Sequence, residues 1–172
     1  MKKIHYQPSL CAAFTAILLI FSIASCDSLT NKRNGKDTQE VRHEFANSNW
    51  AFEEEVLDFD FNIEDTTKFY DVSLELVYDT ATATLQEIPL SLTLSTPDGM
   101  KSFATSQFLL NRKQNPGITI SDKNRNAALD VTVYPRRKFK VPGKYTLTVY
   151  RRAEKADNLG FVSLSAKVRT VK

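Results

Sequence analysis

The chain has few of the residues from which most catalytic and metal sites are built. Beyond position 26 it contains no cysteine and a single histidine, His43. Structural zinc sites are held by several Cys and His ligands, and a His is the base in Ser-His-Asp triads. The five glycines are scattered along the chain and form no phosphate-binding loop. The sequence therefore predicts a protein that is not an enzyme, with no catalytic residues, no metal ligands and no cofactor.

Long hydrophobic runs are also missing. The longest apolar stretch, Leu10 to Ala24, counts 15 residues and is interrupted by Thr15 and Ser22. A membrane-spanning helix needs about 20 apolar residues, whereas the apolar region of a secretory signal has about 7–15. Lys2 and Lys3 supply the positive charge that precedes such a region. The pattern favours an export signal over a transmembrane helix.

The residues that close the apolar run indicate how the chain is processed. Ile23-Ala24-Ser25-Cys26 resembles a bacterial lipobox, which implies cleavage before Cys26 and acylation of this cysteine. Each buried methylene of a lipid contributes about 0.8 kcal/mol, and two or more acyl chains anchor a protein stably. The alternatives are a true span, or a plain secretory signal in which the cysteine occurs by chance. We predict lipidation at Cys26 and a membrane as the first partner.

This processing divides the chain into three segments. Residues 1–25 are the predicted lipoprotein signal peptide, and residues 26–48 are predicted to be an acylated, flexible tether because they contain few large apolar residues. Val41 to Phe45 is the exception, since it suits a short strand or a local contact. We expect the ring of His43 to be solvated in this tether. The folded domain is predicted over residues 49–172.

Within that domain the hydrophobic pattern has the period of β-strands. Apolar and polar residues alternate, as expected of strands with one face on a core and one in water. The segments read VLDFDFNI, YDVSLELVY, IPLSLTLS, ALDVTVY, YTLTVY and FVSLSAKV. Turn signals lie between segments at Thr96-Pro97-Asp98-Gly99, Asn115-Pro116-Gly117 and Val141-Pro142-Gly143. Ser106 to Arg112 fits a short helix or another strand. The pattern predicts an all-β fold, an antiparallel, jelly-roll-like β-sandwich rather than a closed barrel.

Charge is divided unevenly along the chain. Residues 26–100 contain 5 Lys and Arg against 16 Asp and Glu, whereas residues 101–172 contain 16 against 4. The two halves nearly cancel, so net charge gives no reason to expect a nucleic-acid partner. One interpretation is that acidic and basic strands lie side by side, where opposed charges stabilise each pair by about 0.2–1 kcal/mol. The other is a dipolar surface that docks a charged partner.

The densest basic stretch is YPRRKFK, from Tyr134 to Lys140. Its functional interpretation is a patch for an anionic partner, which is a lipid headgroup, an acidic polysaccharide or an acidic protein surface. Its structural interpretation is a charged sheet edge that prevents aggregation. The candidate partner-binding residues are Arg136, Arg137, Lys138 and Lys140.

Carboxylates are the remaining side chains that could form a metal site. Glu53 to Glu55, with Asp58 and Asp60, offer oxygen ligands of the type that calcium prefers. However, Asp58 and Asp60 fall on the outward face of a predicted strand, and no Asp-rich loop with glycine accompanies them. We interpret these carboxylates as a solvated face rather than a calcium site.

Several of these stretches together resemble the gliding-motility lipoprotein GldH family. The matching pieces are the lipobox at Cys26, NSNW with Trp50, LDFDFNIED through Tyr70, IPLSLTLSTPDG, and FKVPGKYTLTVYRRAEKADNLGFVSLSAKV. In order, they cover most of the chain from Trp50 onward. The resemblance implies an outer-membrane lipoprotein that serves the gliding and type IX secretion apparatus by contact with envelope proteins rather than by catalysis.

A second hypothesis is an envelope glycan-binding module, because β-sandwiches commonly hold sugars on exposed aromatic rings. Tyr134, Tyr145 and Tyr150 are the candidate rings, whereas Trp50 is expected in the core. For localisation, only Asp27 is acidic between Cys26 and Lys32. The absence of an acidic run favours the periplasmic face of the outer membrane, with the cell surface as the alternative.

Overall fold

The structure is a computed structural model that describes residues 29–33, 38–51, 55–110, 118–120, 125–152 and 158–172. The predicted signal peptide and Cys26 lie outside these ranges, as does the predicted turn at Asn115 to Gly117. The elements found in the described residues are one turn of 3-10 helix at Ala46–Ser48 and the following strands: β1 Leu29–Arg33, β2 Thr38–Glu44, β3 Asn49–Trp50, β4 Val56–Ile63, β5 Phe69–Asp79, β6 Glu87–Ser95, β7 Lys101–Leu109, β8 Thr119–Ile120, β9 Asn126–Lys138, β10 Gly143–Arg151, β11 Asn158–Leu159 and β12 Phe161–Val171.

The strands form two main antiparallel sheets. The larger sheet has the order β1-β2-β12-β5-β9-β8, and the smaller has the order β4-β10-β6-β7. The short strands β11 and β3 pair separately. The two main sheets pack face to face as a β-sandwich, so the predicted fold class is confirmed.

The core lies between the sheets and is built by the alternation seen in the sequence. In β4 the buried residues are Leu57, Phe59, Phe61 and Ile63, and in β6 they include Ile88, Leu90, Leu92 and Leu94. Fully burying a side chain of this size contributes about 1.5–3 kcal/mol. Because successive side chains of a strand point to opposite faces, the intervening polar residues face outward.

Trp50 is fully buried, as predicted, in an aromatic cluster at one end of the sandwich. Its ring stacks on Phe45 with centroids 4.9 Å apart and meets Phe161 edge-on at 6.3 Å. The guanidinium of Arg151 lies 5.4 Å from the centre of the Trp50 ring and donates a hydrogen bond to the Ala51 carbonyl at 3.2 Å. Arg151 is therefore part of the interior, where it is 2% exposed.

The predicted tether over residues 26–48 is wrong for residues 38–48, whereas the strand or local contact considered for Val41 to Phe45 is confirmed. Strand β2 is an integral member of the larger sheet and pairs with β12 over seven residues. The side chains of Val41, His43 and Phe45 are buried, so His43 is not solvated. The alternation of these three residues has the strand period, but it is short and is flanked by polar residues that dominate the local composition.

A side-chain contact also joins β2 to the other sheet. The amide of Gln39 donates to the Asn62 carbonyl at 2.5 Å and accepts from the Asn62 backbone N–H at 3.0 Å. Gln39 thus imitates a backbone strand partner for the last residues of β4. The folded part of the chain begins well before residue 49.

The structure tests two local predictions, a turn at Thr96 to Gly99 and a helix or strand at Ser106 to Arg112. The turn at Thr96 to Gly99 is confirmed, with Gly99 at a positive φ of 83° and its N–H donating to the Thr96 carbonyl. The sequence of Ser106 to Arg112 fits either a short helix or a strand. In the structure, residues 106–109 of this segment continue β7 and pair with β6.

Candidate functional site

The outer face of the smaller sheet carries a patch without charge, which we call the neutral face. It consists of two rows of three side chains across β10, β6 and β7. In register, the rows are Tyr150, Ser91 and Thr105, and Thr148, Thr93 and Phe103. Four Ser and Thr hydroxyl groups and two aromatic rings thus occupy neighbouring positions, in a chain in which 25% of residues are charged.

Both rings are exposed to solvent on this face. Phe103 is 77% exposed and Tyr150 is 38% exposed. They lie on strands separated by β6, so their backbones are about 10 Å apart across the sheet at the usual strand spacing. Between them is a shallow groove of about 560 Å³, lined by Ser91, Leu92, Thr93, Phe103, Ala104, Thr105 and Tyr150.

Charged residues border the neutral face on the side of β4. Asp60 is bound by the ammonium of Lys144 at 2.7 Å and by the hydroxyl of Thr146 at 2.6 Å. Partial burial raises the pKa of Asp60, but the contacts with Lys144 and Thr146 outweigh this effect and leave the pKa below its usual value. Asp58 is exposed one position along the same outer face. The outward orientation predicted for both carboxylates is confirmed.

No metal cluster is found in the part of the chain that the structure describes. There, no group of three His, Cys, Asp or Glu side chains is arranged to hold an ion. Glu53 and Glu54, which contributed to the calcium alternative, lie outside the described residues.

The four candidate basic residues do not form one surface. Arg136 and Lys138 face outward near the partly exposed ring of Phe69, with their cationic groups 5.2 and 5.7 Å from its centre. Arg137 points the other way, where it donates to the Ser102 hydroxyl of the smaller sheet at 3.0 Å. Lys140 follows the strand and lines a small groove with Thr66 and Lys138. We call Arg136, Lys138 and Lys140 the basic end.

A bulge in β9 explains this arrangement. The register with β5 shifts so that Pro135 and Arg136 together lie opposite Asp71. Arg136 takes a positive φ of 44°, and its backbone N–H donates to the Asp71 carboxylate at 2.8 Å. Its guanidinium donates to the carbonyl of Lys172 at 2.7 Å. The basic end is therefore partly occupied by contacts within the chain.

The uneven charge of the two halves is explained by neighbouring strands. On the outer face of the larger sheet, the ammonium of Lys167 lies 2.6 Å from Glu75 and 4.0 Å from Asp130. Arg169 lies 3.6 Å from Asp71 on the adjacent strand. These cross-strand pairs join the acidic and basic halves, as the first interpretation of the charge pattern predicted.

Of the three tyrosines considered for glycan contact, the structure exposes one. Tyr134 and Tyr145 are buried in the core, where their rings are 7% and 1% exposed, so the prediction that they are available to a ligand is wrong. Phe103 was missed. A signal for it was present, because Phe103 and Phe108 are an odd number of residues apart and so face opposite sides of one strand.

Comparisons with known proteins identify no family. No protein-family model matches the chain, and no curated protein matches it. Among solved structures, the chain is similar to a carbohydrate-binding module, CBM28, described as specific for non-crystalline cellulose. The TM-score is 0.49 at 16% identity, over 84% of this chain and 80% of that one. It is also similar to an arabinose-bound GH51 α-L-arabinofuranosidase, with a TM-score of 0.37 at 10% identity, over 83% of this chain and 23% of that one. Likeness at this level indicates neither a ligand nor an activity for this chain.

The membrane anchor predicted at Cys26 is outside the described residues. Within the described ranges, no helix has the length and the hydropathy needed to cross a bilayer.

Proposed function

We propose that this chain is a lipid-anchored, non-catalytic binding protein of the bacterial envelope, similar to the gliding-motility lipoproteins of the GldH family. The sequence supports the anchor through its resemblance to a lipobox at Cys26. The observation that carries the binding role is the neutral face. It is uncharged and exposes Phe103 and Tyr150, although Thr93 between them is buried, whereas cross-strand ion pairs occupy much of the outer face of the larger sheet.

The neutral face has the chemistry of a contact surface. Exposed aromatic rings dominate the energetics of many interfaces, because they bury a large area with few rotatable bonds. Burying a ring of this size on a partner contributes about 1.5–3 kcal/mol. Since about 1.4 kcal/mol changes an affinity tenfold, Phe103 and Tyr150 together are sufficient to decide whether a partner stays bound.

The test is recovery of envelope partners by crosslinking and pull-down. In the face variant, Phe103→Ser and Tyr150→Ser are combined, and recovery is expected to fall at least about tenfold. A matched control, Lys101→Ser with Gln107→Ser, changes exposed residues of the same sheet outside the neutral face and is expected to leave recovery unchanged. Equal recovery from the face variant and the wild type would overturn this assignment.

The basic end remains a second predicted partner surface and forms a separate arm of the same experiment. Changing Arg136, Lys138 and Lys140 to Ser leaves the neutral face intact. Loss of recovery in this variant alone would assign the partner to the basic end and would favour an acidic protein surface.

A glycan-binding module is the second candidate function, and the composition of the neutral face is the observation that favours it. Sugar rings offer apolar faces that stack on aromatic side chains, and hydroxyl groups that bond to Ser and Thr. The absence of charge among the six residues favours a neutral polysaccharide over an anionic one. Retardation of the soluble domain in gels containing a neutral glucan, but not alginate, would support this function. Loss of retardation in the face variant would locate the binding site, and migration unaffected by any polysaccharide would exclude the function.

A further inference from the structure

The position of the first described strand constrains where the predicted lipid lies. Cys26 precedes Leu29, the first residue of β1, by three residues. A chain extends by at most about 3.3–3.6 Å per residue, so Cys26 is within about 11 Å of Leu29. The lipid is therefore close to the sandwich and is not separated from it by a tether of more than twenty residues.

The register of the larger sheet shows which end of the sandwich this is. Leu29 pairs with His43, His43 with Leu164, and Leu164 with Leu76. Leu76 is three residues from the end of β5 at Asp79. Because β1 runs away from that end, the chain enters the larger sheet there.

We call this the proximal end and define it by Asn47, Ser48, Thr80 to Thr82 and Leu159. These residues are uncharged and Leu159 is 59% exposed, but they adjoin the exposed Arg125, whose carbonyl accepts from the backbone N–H of Thr80 at 3.2 Å. The carboxylate of Asp79 beneath them is engaged by the backbone N–H of Ala81 at 2.9 Å and the hydroxyl of Thr82 at 2.7 Å. An exposed leucine among small polar groups suits the headgroup region of a bilayer.

The basic end lies at the other end of the same strands. Phe69, the first residue of β5, pairs with Lys138. Strand β5 spans eleven residues, which corresponds to about 33 Å at the usual rise per residue. The two ends thus differ in chemistry and are separated by the full length of the sandwich.

We propose that the proximal end rests against the bilayer that holds the lipid of Cys26, and that the basic end points away from it. This orientation depends on the proposed lipid anchor. It leaves the neutral face upright beside the membrane and open to partners. In this orientation the basic end does not contact the headgroups of the anchoring membrane, so these headgroups are not its ligand.

The test uses the acylated mature chain in vesicles of phosphatidylethanolamine and phosphatidylglycerol that contain a lipid spin-labelled near its headgroup. Since the chain beyond Cys26 has no cysteine, Leu159→Cys and, as the matched control, Lys140→Cys each introduce one free thiol for an environment-sensitive fluorophore. We expect blue-shifted emission and strong quenching at position 159, and neither effect at position 140.

The outcomes separate the orientation from the anchor. Vesicle flotation and the mass of the N-terminal peptide report on acylation. A chain that fails to float overturns the anchor and the orientation with it. A chain that floats but is quenched equally at both positions, or more strongly at position 140, overturns the orientation alone.

Discussion

At the scale of single residues, backbone conformation decides several positions more firmly than side-chain chemistry does. Gly160 has a φ of 90°, and its N–H donates to the Ser48 carbonyl while its carbonyl accepts from Asp79. A Cβ at this position would lie 2.5 Å from the backbone nitrogen of Ala83. Gly99 has a similar φ of 83°, but open space surrounds it. Comparing substitutions at Gly160 and Gly99 therefore separates two contributions to the loss of stability, the strain of a positive φ and a steric clash of the added Cβ.

We expect Gly160→Ala to lower the free energy of unfolding by about 2–5 kcal/mol, because strain at positive φ adds to a backbone clash. Gly99→Ala is the control and should cost about 1–2 kcal/mol, from conformation alone. Urea denaturation followed by circular dichroism measures both values. Equal losses in the two variants would contradict the clash at Gly160.

At the scale of elements, β2 is the strand whose role the local composition concealed. Its pairing covers one edge of β12, and it buries Val41 while the adjoining Phe45 packs on Trp50. An unpaired strand edge is a common site of aggregation. The strand therefore contributes both core burial and protection of the sheet.

A chain that starts at Asn49 is expected to be much less stable than one that starts at Leu29. The loss of Val41 and Phe45 from the core costs about 3–6 kcal/mol, and the total stability of a domain is commonly about 5–15 kcal/mol. The urea midpoint and size-exclusion chromatography of the two soluble chains test this expectation. Equal midpoints and equal monomer fractions would restore the tether prediction for residues 26–48.

At the scale of the whole molecule, the topology interleaves the two halves of the chain. Strand β5 of the acidic half lies between β9 and β12 of the basic half, and β10 lies between β4 and β6. The large difference in charge along the sequence is thereby reduced to local pairs on the sheet faces. The ion pairs of Lys167 with Glu75 and of Arg169 with Asp71 are examples.

The pH dependence of stability is also a property of the whole fold. Burial raises the pKa of Tyr78 and Tyr134 above the ordinary value of 10.0. The unfolded chain then loses these protons before the folded chain does. The contribution of the two tyrosines to stability is therefore fully present below pH 10 and falls as the pH rises through their folded pKa values.

Hydrogen bonds from Ala81 and Thr82 lower the pKa of Asp79 below 3.8. Its contribution is present above pH 3.8 and is lost as pH falls through the folded value.

We therefore expect the thermal midpoint to be highest at neutral pH and to decline below pH 3.8 and above pH 10. Thermal unfolding across this range, followed by circular dichroism, measures the decline. Tyr78→Phe should flatten the alkaline decline and Asp79→Asn the acidic one. A midpoint that stays constant above pH 10 would contradict the burial of the tyrosine hydroxyls.

Much of the architecture was predictable because strand patterning is local. Alternation from Val56 to Ile63, for example, determines the inward side of that strand without reference to any other segment. The β-sandwich and the outward position of Asp58 and Asp60 follow from this property. The neutral face was not predictable as a site, because its six residues come from three strands whose neighbours and register depend on distant segments.

The sequence by itself determined six of the strands, β4, β5, β6, β9, β10 and β12, and the side of each that meets the core, since both depend on a period of two along the chain. The tertiary structure alone decided which strands adjoin. It brought Phe103 and Tyr150 to one face, separated Arg137 from Arg136 and Lys138, and drew β2 into the sheet. Hydrogen bonding between strands joins residues that are far apart in sequence, and no local pattern specifies those pairs.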